Sequence, residues 1–252
     1  MSQKLVNKLA LKKYRTETGL FLVEGKKNIL ELLESDFIVE TLYLTLKADI
    51  DEVLHQYQER TKNNPKTIIV TEEKLASLGT FQSNNVGVAI AKQRTPLSSE
   101  DMLARAKNEY VLVLDDVRDP GNLGTIIRTA DWFGITHIVT SETTTDFYSP
   151  KTIASSMGSF TRVSVTPLSL TSFLNEAKRI DIPSFGAFLD GKNAFSFSYP
   201  SSGLIVMGSE SHGISGELEP LIAERITIPR YGKAESLNVA VATAVVLSSL
   251  HK

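Results

Sequence analysis

Three segments carry the polar residues that could do chemistry in this chain, and each follows an apolar, strand-like run. The first is DPGNLGTIIRTADWFG at 119–134, where Asn122 lies in a glycine-bearing turn and Arg128 follows on a helix-like stretch. Strand, turn and helix in this order are typical of nucleotide-binding sites. Gly121 and Gly124 do not fit G-x-G-x-x-G, however, and the segment has no P-loop lysine. The spacing therefore argues against both common nucleotide folds.

The second segment, GLIVMGSESHGISGELE, places Gly208, Glu210 and Gly213 directly after an apolar run. A glycine at the end of a buried strand lets the backbone approach a ligand closely. Glu210 between two glycines is either a solvated carboxylate or a partner for a basic group. The segment alone does not choose between these interpretations.

The third segment, ITIPRYGKAESLNVAVATAVVL, turns at Pro229 and Gly232 and then enters an apolar stretch. Ser236 is well placed to cap a helix that begins behind it. We expect Asn238 in the first turn of that helix, where it either serves a site or bonds a nearby loop. A helix that is apolar on all sides is buried.

Alternating strand-like and helix-like runs predict an α/β fold that positions these segments. The predicted strands of the C-terminal half are 110–114, 137–140, 162–165, 184–189, 204–208 and 225–228, and a helix covers 236–250. Such alternation implies a mostly parallel sheet with helices on both faces, which binds ligands beyond the carboxyl ends of its strands. Residues 1–93 alternate in the same way as a smaller unit. Pro96 and the absence of a strand signal favour a linker over 94–109.

Composition excludes several classes of protein. The chain has 252 residues, 42% of them hydrophobic and 22% charged, as in ordinary globular proteins with one large or two modest domains. It has no cysteine, so disulfides, zinc–cysteine sites and thiol catalysis are excluded. The N-terminal stretch lacks an uninterrupted apolar core, and no apolar run approaches the roughly 20 residues that span a bilayer. We therefore expect a soluble, cytoplasmic protein without a membrane partner.

Charge is distributed unevenly along the chain. The net charge is −2, yet residues 1–27 hold seven lysines and arginines against two glutamates. Such a cluster is either a footprint for a polyanion or a solvated helix face. Residues 110–252 hold 11 lysines and arginines against 14 aspartates and glutamates. An anionic partner would have to bind local patches there.

Together the three segments resemble the motifs of the SpoU branch of the SPOUT RNA methyltransferases. The matching patterns are N-x-G-x-x-x-R from Asn122, G-x-E-x-x-G from Gly208 and I-P-x-x-G-x-x-x-S-L-N-V from Ile228. The resemblance covers 110–252 and implies methyl transfer from S-adenosylmethionine to a ribose 2′-hydroxyl of RNA, a C-terminal trefoil knot and no metal. Residues 1–93 are similar in pattern to an L30e-like RNA substrate-binding domain. The stretch FLVEGKKNILELLES of this chain resembles the usual start of that domain.

The resemblance also implies two groups of site residues. The cofactor-binding group is Gly208, Ile228, Leu237, Thr140 and Ser236, and the catalytic group is Arg128, Glu210, Asn122, Ser236 and Asn238. The family assigns the arginine a general-base role toward the 2′-hydroxyl. Because arginine is essentially always protonated, the alternative is a guanidinium held between Glu210 and a substrate phosphate, which positions the ribose.

The resemblance further implies RNA and a second copy of the chain as partners. The candidate RNA contacts are Lys8, Lys12, Lys13, Lys26, Lys27 and Arg128. The N-terminal unit favours ribosomal RNA over transfer RNA, because the best-known transfer-RNA members lack it. The apolar helix over 236–250 predicts a homodimer. Arg230, Tyr231 and Lys233 lie in the variable part of the third motif, where the arginine and the lysine add positive charge beside the cleft.

Three alternative functions stay open at this point. A transfer-RNA 2′-O-methyltransferase would share all three motifs. A catalytically silent RNA-binding protein on the same fold would have lost Arg128, Glu210 or Asn238, and all three are present. A nicotinamide-dependent oxidoreductase could use Glu142 at the end of the second strand, but its glycine spacing fails.

Overall fold

The computed structural model describes residues 3–81 and 84–251, which divide into two compact units. The first unit takes the described residues up to Thr95 together with Asp146–Arg162. The second takes Pro96–Thr145 and the described residues from Val163 onward. The chain therefore passes between the units three times.

Helices and strands alternate in both units. The helices are α1 Gln3–Lys8, α2 Lys12–Thr18, α3 Lys26–Glu34, α4 Asp51–Thr61, α5 Glu72–Ala76, α6 Ser99–Ala106, α7 Pro120–Trp132, α8 Pro150–Ser156, α9 Leu170–Arg179 and α10 Val239–Ser249. The strands are β1 Leu20–Glu24, β2 Val39–Leu44, β3 Lys66–Ile69, β4 Gly87–Lys92, β5 Tyr110–Leu114, β6 His137–Thr140, β7 Ser164–Pro167, β8 Ser184–Asn193, β9 Gly203–Met207 and β10 Glu224–Thr227. No helix in the described ranges is long and apolar enough to cross a membrane.

The first unit is a mixed four-stranded sheet in the order β1-β4-β2-β3, with only β2 and β3 paired in parallel. On one face, strand residues such as Leu22 and Ile90 pack against residues that include Val6 and Leu75. Phe21 is the centre of a second, aromatic cluster, formed with Phe37, Tyr148 and Phe160. Two of these four rings come from Asp146–Arg162, so that segment completes the core of the first unit.

A buried arginine joins the same segment to the N-terminal helices. The Arg15 side chain is 4% exposed, and its Nε donates to Asp146 Oδ2 at 2.8 Å. Its Nη1 donates to the carbonyls of Leu9 and Ala10, each at 2.8 Å. These carbonyls follow α1, so Arg15 stabilises the break between α1 and α2. One positive charge of residues 1–27 is thereby neutralised in the interior.

The second unit is a six-stranded parallel sheet in the order β10-β8-β9-β5-β6-β7. Alternate strand residues such as Val111 and Val206 belong to a core cluster with residues of α6 and α9. Their neighbours Leu112 and Ile205, which point to the other face, are also fully buried. Both faces are covered, and the predicted α/β fold with a mostly parallel sheet is confirmed.

The predicted linker over 94–109 contains a helix of the second unit. Helix α6 begins with a capping box, in which Ser98 Oγ accepts from the Asp101 N–H at 3.1 Å and the Asp101 carboxylate accepts from the Ser98 N–H at 3.2 Å. Met102, Leu103 and Ala106 are buried in the core cluster of the sheet. The pattern S-x-x-D before apolar residues at helical spacing was the available signal.

Candidate active site

The loops that carry the three motifs meet at the carboxyl ends of β5, β9 and β10. Helix α7 follows β5 and is capped by Asp119, whose Oδ1 accepts from the Asn122 N–H at 2.9 Å, with Pro120 at the first helical position. This cap fixes Asn122 in the first turn of α7. Leu114 and Met207 are register partners in β5 and β9, so the loops that follow these strands begin side by side.

Asn122, Glu210 and Asn238 form a polar triad that ties the three motifs together. Asn122 Nδ2 donates to Glu210 Oε1 at 2.7 Å, and Asn238 Nδ2 donates to the same oxygen. Asn238 Nδ2 also lies 3.1 Å from Asn122 Oδ1. Hydrogen bonds to a carboxylate are charge-assisted and stronger than neutral ones. The triad therefore holds together side chains that are 88 and 116 residues apart in sequence.

Asn238 has a second role as the N-cap of α10. Its Oδ1 accepts from the N–H groups of Ala240 and Val241 at 3.0 and 3.3 Å, which leaves Nδ2 for Glu210. The prediction that Ser236 caps this helix was wrong, since the helix begins at Val239 and Ser236 is exposed in the preceding loop. Asparagine suits both tasks because its amide carries a donor and an acceptor.

Arg128 is exposed on α7 and is available to a ligand. Its guanidinium makes no hydrogen bond or ion pair with any residue of 3–81 or 84–251. The predicted contact between Arg128 and Glu210 is therefore not formed, because the two asparagines bind Glu210 instead. The structure keeps a free guanidinium on the helix that carries Asn122.

A cavity of about 810 Å³ opens beside the triad, within the second unit. It lies between residues 187–190 of β8, the loop after β9 and the loop from β10 to α10, and Glu210 is part of its wall. Four of the predicted cofactor-binding residues line it, namely Gly208, Ile228, Ser236 and Leu237. Thr140, the fifth, is buried at the end of β6, two strands from β9, and is not among the lining residues that the structure describes.

The loop from Ile228 to Leu237 offers free main-chain groups to this cavity. None of its residues exchanges a backbone–backbone hydrogen bond with another described residue. The adjoining wall is apolar, with Met207, Val239 and Ala242. Ligand sites are typically concave, mostly apolar and furnished with a few main-chain donors and acceptors. The cavity therefore has the composition of a small-molecule binding site.

Backbone hydrogen bonds within the loop after β9 stabilise its conformation. Ser209 and Gly213 exchange two hydrogen bonds, at 2.9 and 3.0 Å. A Cβ at Gly208 would lie 2.0 Å from the Gly213 carbonyl carbon. Asp115 Oδ2 anchors the far end by accepting from the Ser215 N–H and Oγ at 2.8 and 2.6 Å. Gly208 was predicted to leave room for a cofactor, whereas the structure shows that it leaves room for the returning loop.

Two features of the site were not predicted from the sequence. Asp116, at the end of β5, has a left-handed backbone with φ 57° and accepts from Arg118 Nε at 2.9 Å, with His212 Nε2 3.6 Å away. The hydrogen bond from Arg118 lowers the pKa of Asp116, so a carboxylate stays ionised beside the second motif. Two consecutive acidic residues after an apolar strand were the available signal.

The second feature is an excursion of β8 that forms part of the cavity wall. Parallel pairing to β10 jumps from Gly186 to Lys192, so residues 187–191 form an excursion of β8 that is out of register with β10. The Arg225 guanidinium lies 3.7 Å from the Phe188 ring centroid and also pairs with Asp190. This cation–π and ionic contact holds the excursion in place. Asp190 and Gly191 interrupt its apolar pattern, but the local sequence does not show that pairing resumes at Lys192.

The lysines predicted to bind RNA lie in the first unit. Lys12, Lys13, Lys26 and Lys27 are exposed, whereas Lys8 is half-buried with Nζ 4.5 Å from the Tyr14 ring centroid. Lys13 lies 3.9 Å from Glu17 and Lys26 lies 3.4 Å from Asp49. Lys12 and Lys27 have no charged partner among the described residues.

Family models match both parts of the chain. The SpoU rRNA Methylase family matches residues 109–248, which include all three motifs. The MRM3-like substrate binding domain matches residues 3–88, within the first unit. The sequence resemblance to SpoU enzymes with a separate substrate-binding domain is thereby confirmed.

Individual relatives cover nearly the whole chain. The 23S rRNA (guanosine(2553)-2′-O)-methyltransferase RlmP of Bacillus subtilis is 32% identical over 96% of this chain and 93% of its own length. An AdoMet-bound rRNA methyltransferase from Sinorhizobium meliloti is 30% identical with a TM-score of 0.86 and covers 99% of this chain and 93% of its own. The SpoU methyltransferase AviRb from Streptomyces viridochromogenes, in complex with AdoMet, is 25% identical with a TM-score of 0.83. The match covers 98% of this chain and 96% of AviRb.

Proposed function

Because the chain belongs to the SpoU rRNA Methylase family, we propose that it transfers a methyl group from S-adenosylmethionine to a ribose 2′-hydroxyl of ribosomal RNA. The observation that carries this proposal is the polar triad, which joins all three motifs beside a cavity. The name of the Bacillus subtilis relative describes this reaction on 23S rRNA. An enzyme of ribosomal RNA acts where ribosomes assemble, so we also propose a cytoplasmic location.

The cavity fits S-adenosylmethionine. Its volume of about 810 Å³ lies within the usual range for small-molecule sites. The free main chain of residues 228–237 would bind polar edges of the cofactor, and Ile228 and Leu237 would contact its apolar surfaces. The cofactor supplies an activated methyl group when it is bound. The task left to the protein is alignment of the ribose hydroxyl.

In this proposal, Arg128 and the polar triad have different roles in catalysis. Arg128 is a free, exposed cation on α7, so it would bind the RNA backbone and stabilise negative charge that develops on the 2′-oxygen. Glu210 fixes Asn122 and Asn238 in one geometry. Ser236 is exposed in the loop directly before α10 and would donate a hydrogen bond to the ribose or the cofactor.

The proposed function is tested by two measurements. Calorimetric titration should show binding of S-adenosylmethionine and no binding of a nicotinamide dinucleotide. Mapping of ribose methylation in total RNA, with and without the protein, should show that one position in ribosomal RNA depends on it. A dependent position in transfer RNA would replace the proposed substrate. A protein that binds RNA but changes no methylated position would instead be a silent binding protein.

We further propose that the enzyme works as a homodimer. Helix α10 packs against α7, and its outward face carries Val241, which is 51% exposed, with the half-buried Ala244 and Val245. Trp132 at the end of α7 is 85% exposed. A two-fold partner would bury this apolar surface, and isologous pairs are the commonest closed assemblies.

Trp132 is the only tryptophan of the sequence, so its fluorescence reports on this surface. We expect emission at short wavelength at micromolar concentration and a red shift on dilution, as the partner leaves the ring. Val241→Glu should show the red-shifted emission at every concentration, along with lower activity. Asn175→Glu, which adds the same charge to an exposed position of α9, is the control. Light scattering that shows a fully active monomer would refute the dimer.

The first unit is proposed to bind the RNA through its exposed lysines. Removal of one phosphate-binding lysine should lower the slope of log affinity against log salt by about 1. We expect this change for Lys12→Glu and Lys27→Glu, with unchanged S-adenosylmethionine affinity, and not for Lys66→Glu, an exposed lysine outside residues 1–27. Equal slopes for all three variants would place the RNA contacts elsewhere. Full-length protein is required, because truncation would remove the core partners of Phe160 and Tyr148.

A further inference from the structure

The loop between β10 and α10 carries an aromatic ring in solvent. Tyr231 is 93% exposed, the highest value among the large apolar and aromatic side chains that the structure describes as exposed. Arg230 and Lys233 beside it are exposed as well. An aromatic ring of this size is normally at least partly covered, because removing its apolar surface from water is energetically favourable. The exposure therefore points to a ligand that covers it.

The ring lies at the cavity assigned to the methyl donor. Tyr231, Gly232 and Arg230 line the same cavity as Gly208 and Leu237. The loop makes no backbone–backbone hydrogen bond with other described residues, so it can adjust to a ligand. Whatever covers Tyr231 thus lies within reach of the proposed reaction.

The charged residues next to Tyr231 in sequence indicate what kind of ligand would bind there. Arg230 Nη1 donates to the Ala234 carbonyl at 3.4 Å, which leaves most of its donors free. Lys233 has no ionic partner among the described residues. One carboxylate, Glu235, lies nearby in sequence, so the loop is only modestly cationic. Two exposed cations next to an exposed aromatic residue in sequence match a polymer that alternates flat bases with phosphates.

We propose that Tyr231 is a stacking platform for a base of the single-stranded RNA segment that carries the target ribose, with Arg230 and Lys233 binding the adjacent phosphates. The inference rests on the proposed function for the identity of the polymer. Aromatic rings that bind single-stranded RNA stack on unpaired bases, and each such stack contributes strongly to affinity. The platform holds the segment at the mouth of the cavity, where its 2′-hydroxyl meets the methyl donor.

The test compares full-length wild type with Tyr231→Ala and Tyr231→Phe, and with Leu46→Ala, an equally exposed apolar residue of the first unit, as control. The probe is a fluorescein-labelled single-stranded RNA of a dozen nucleotides, followed by anisotropy. We expect Tyr231→Ala to bind about 5- to 100-fold more weakly and Tyr231→Phe to bind nearly as wild type, because a phenyl ring still stacks. Leu46→Ala should be unchanged. In methyl transfer to ribosomal RNA, Tyr231→Ala should raise KM for RNA more than it lowers kcat.

Calorimetry with S-adenosylmethionine completes the test, and Tyr231→Ala should keep wild-type affinity within a few-fold. Loss of cofactor binding with unchanged RNA binding would overturn the platform and assign the ring to the cofactor. Equal RNA affinity and equal KM in wild type and Tyr231→Ala would overturn it as well. Wild type that binds RNA through Tyr231 and transfers no methyl group would contradict the proposed function and leave the platform standing.

Discussion

Replacing Arg128 by alanine is expected to lower the rate of methyl transfer by about 100- to 1000-fold, the usual effect of removing a donor that stabilises developing oxyanion charge. Affinity for S-adenosylmethionine should stay within a few-fold of wild type, because Arg128 is not among the described residues that line the cavity. It also makes no contact with Glu210. The measurements are single-turnover transfer to ribosomal RNA and calorimetric titration of the cofactor.

Arg128→Lys separates the two roles considered for the arginine. Lysine loses its proton more readily than arginine, so a true base would be improved and its rate would rise with pH. A guanidinium that binds a phosphate through two donors would be poorly replaced by an ammonium group. We expect little rescue and no such rise. Arg179→Ala, on the surface of α9, controls for the loss of an exposed charge. Substantial turnover by Arg128→Ala would remove the arginine from the mechanism.

Gly208→Val is expected to abolish cofactor binding and to lower the melting temperature of the protein. A Cβ at this position would lie within 2.2 Å of three backbone atoms of Gly213 and Ile214, so the loop after β9 must rearrange. Glu210 lies in that loop, and its displacement would break the polar triad. Clashes of this kind typically cost about 1–3 kcal/mol or more of stability.

The control for this variant is Gly216→Val, since a Cβ on Gly216 would meet nothing within 4 Å. It should melt and bind the cofactor as wild type does. Differential scanning calorimetry and cofactor titration are the measurements. Wild-type melting and affinity in Gly208→Val would show that the loop does not need its observed path, and the proposed cofactor site would then be misplaced.

The strands near the site were the part of the fold that the sequence predicted best. Apolar runs rich in β-branched residues at 110–114 and 137–140 became β5 and β6 with the predicted bounds. Strand β8 was predicted over 184–189 and extends to Asn193, because its pairing resumes after the excursion held by Arg225. That continuation depends on a contact between distant residues, which local periodicity does not contain.

The candidate site was predicted in part for the same reason. Asn122, Glu210 and Asn238 follow the carboxyl ends of β5, β9 and β10, and the sheet brings them together as expected. Thr140 also lies at a strand end, but that strand, β6, is on the far side of β5 from the cavity. The strand order could not be read from the sequence. The trefoil knot stays a prediction from the family, because ordinary chain rules give no reason to expect a threaded loop.

The segment Asp146–Arg162 determines when the first unit can complete its core during translation. When residue 95 has been translated, the first unit still lacks Tyr148, Phe160 and the Asp146 partner of Arg15. At ordinary elongation rates these residues follow about 3 to 13 seconds later. In the meantime Phe21 lacks the rings of Tyr148 and Phe160, Arg15 lacks its carboxylate partner, and β5 and β6 emerge before the unit ahead of them is finished. The first unit therefore cannot complete its core until part of the second unit has been synthesised, although each unit has its own sheet.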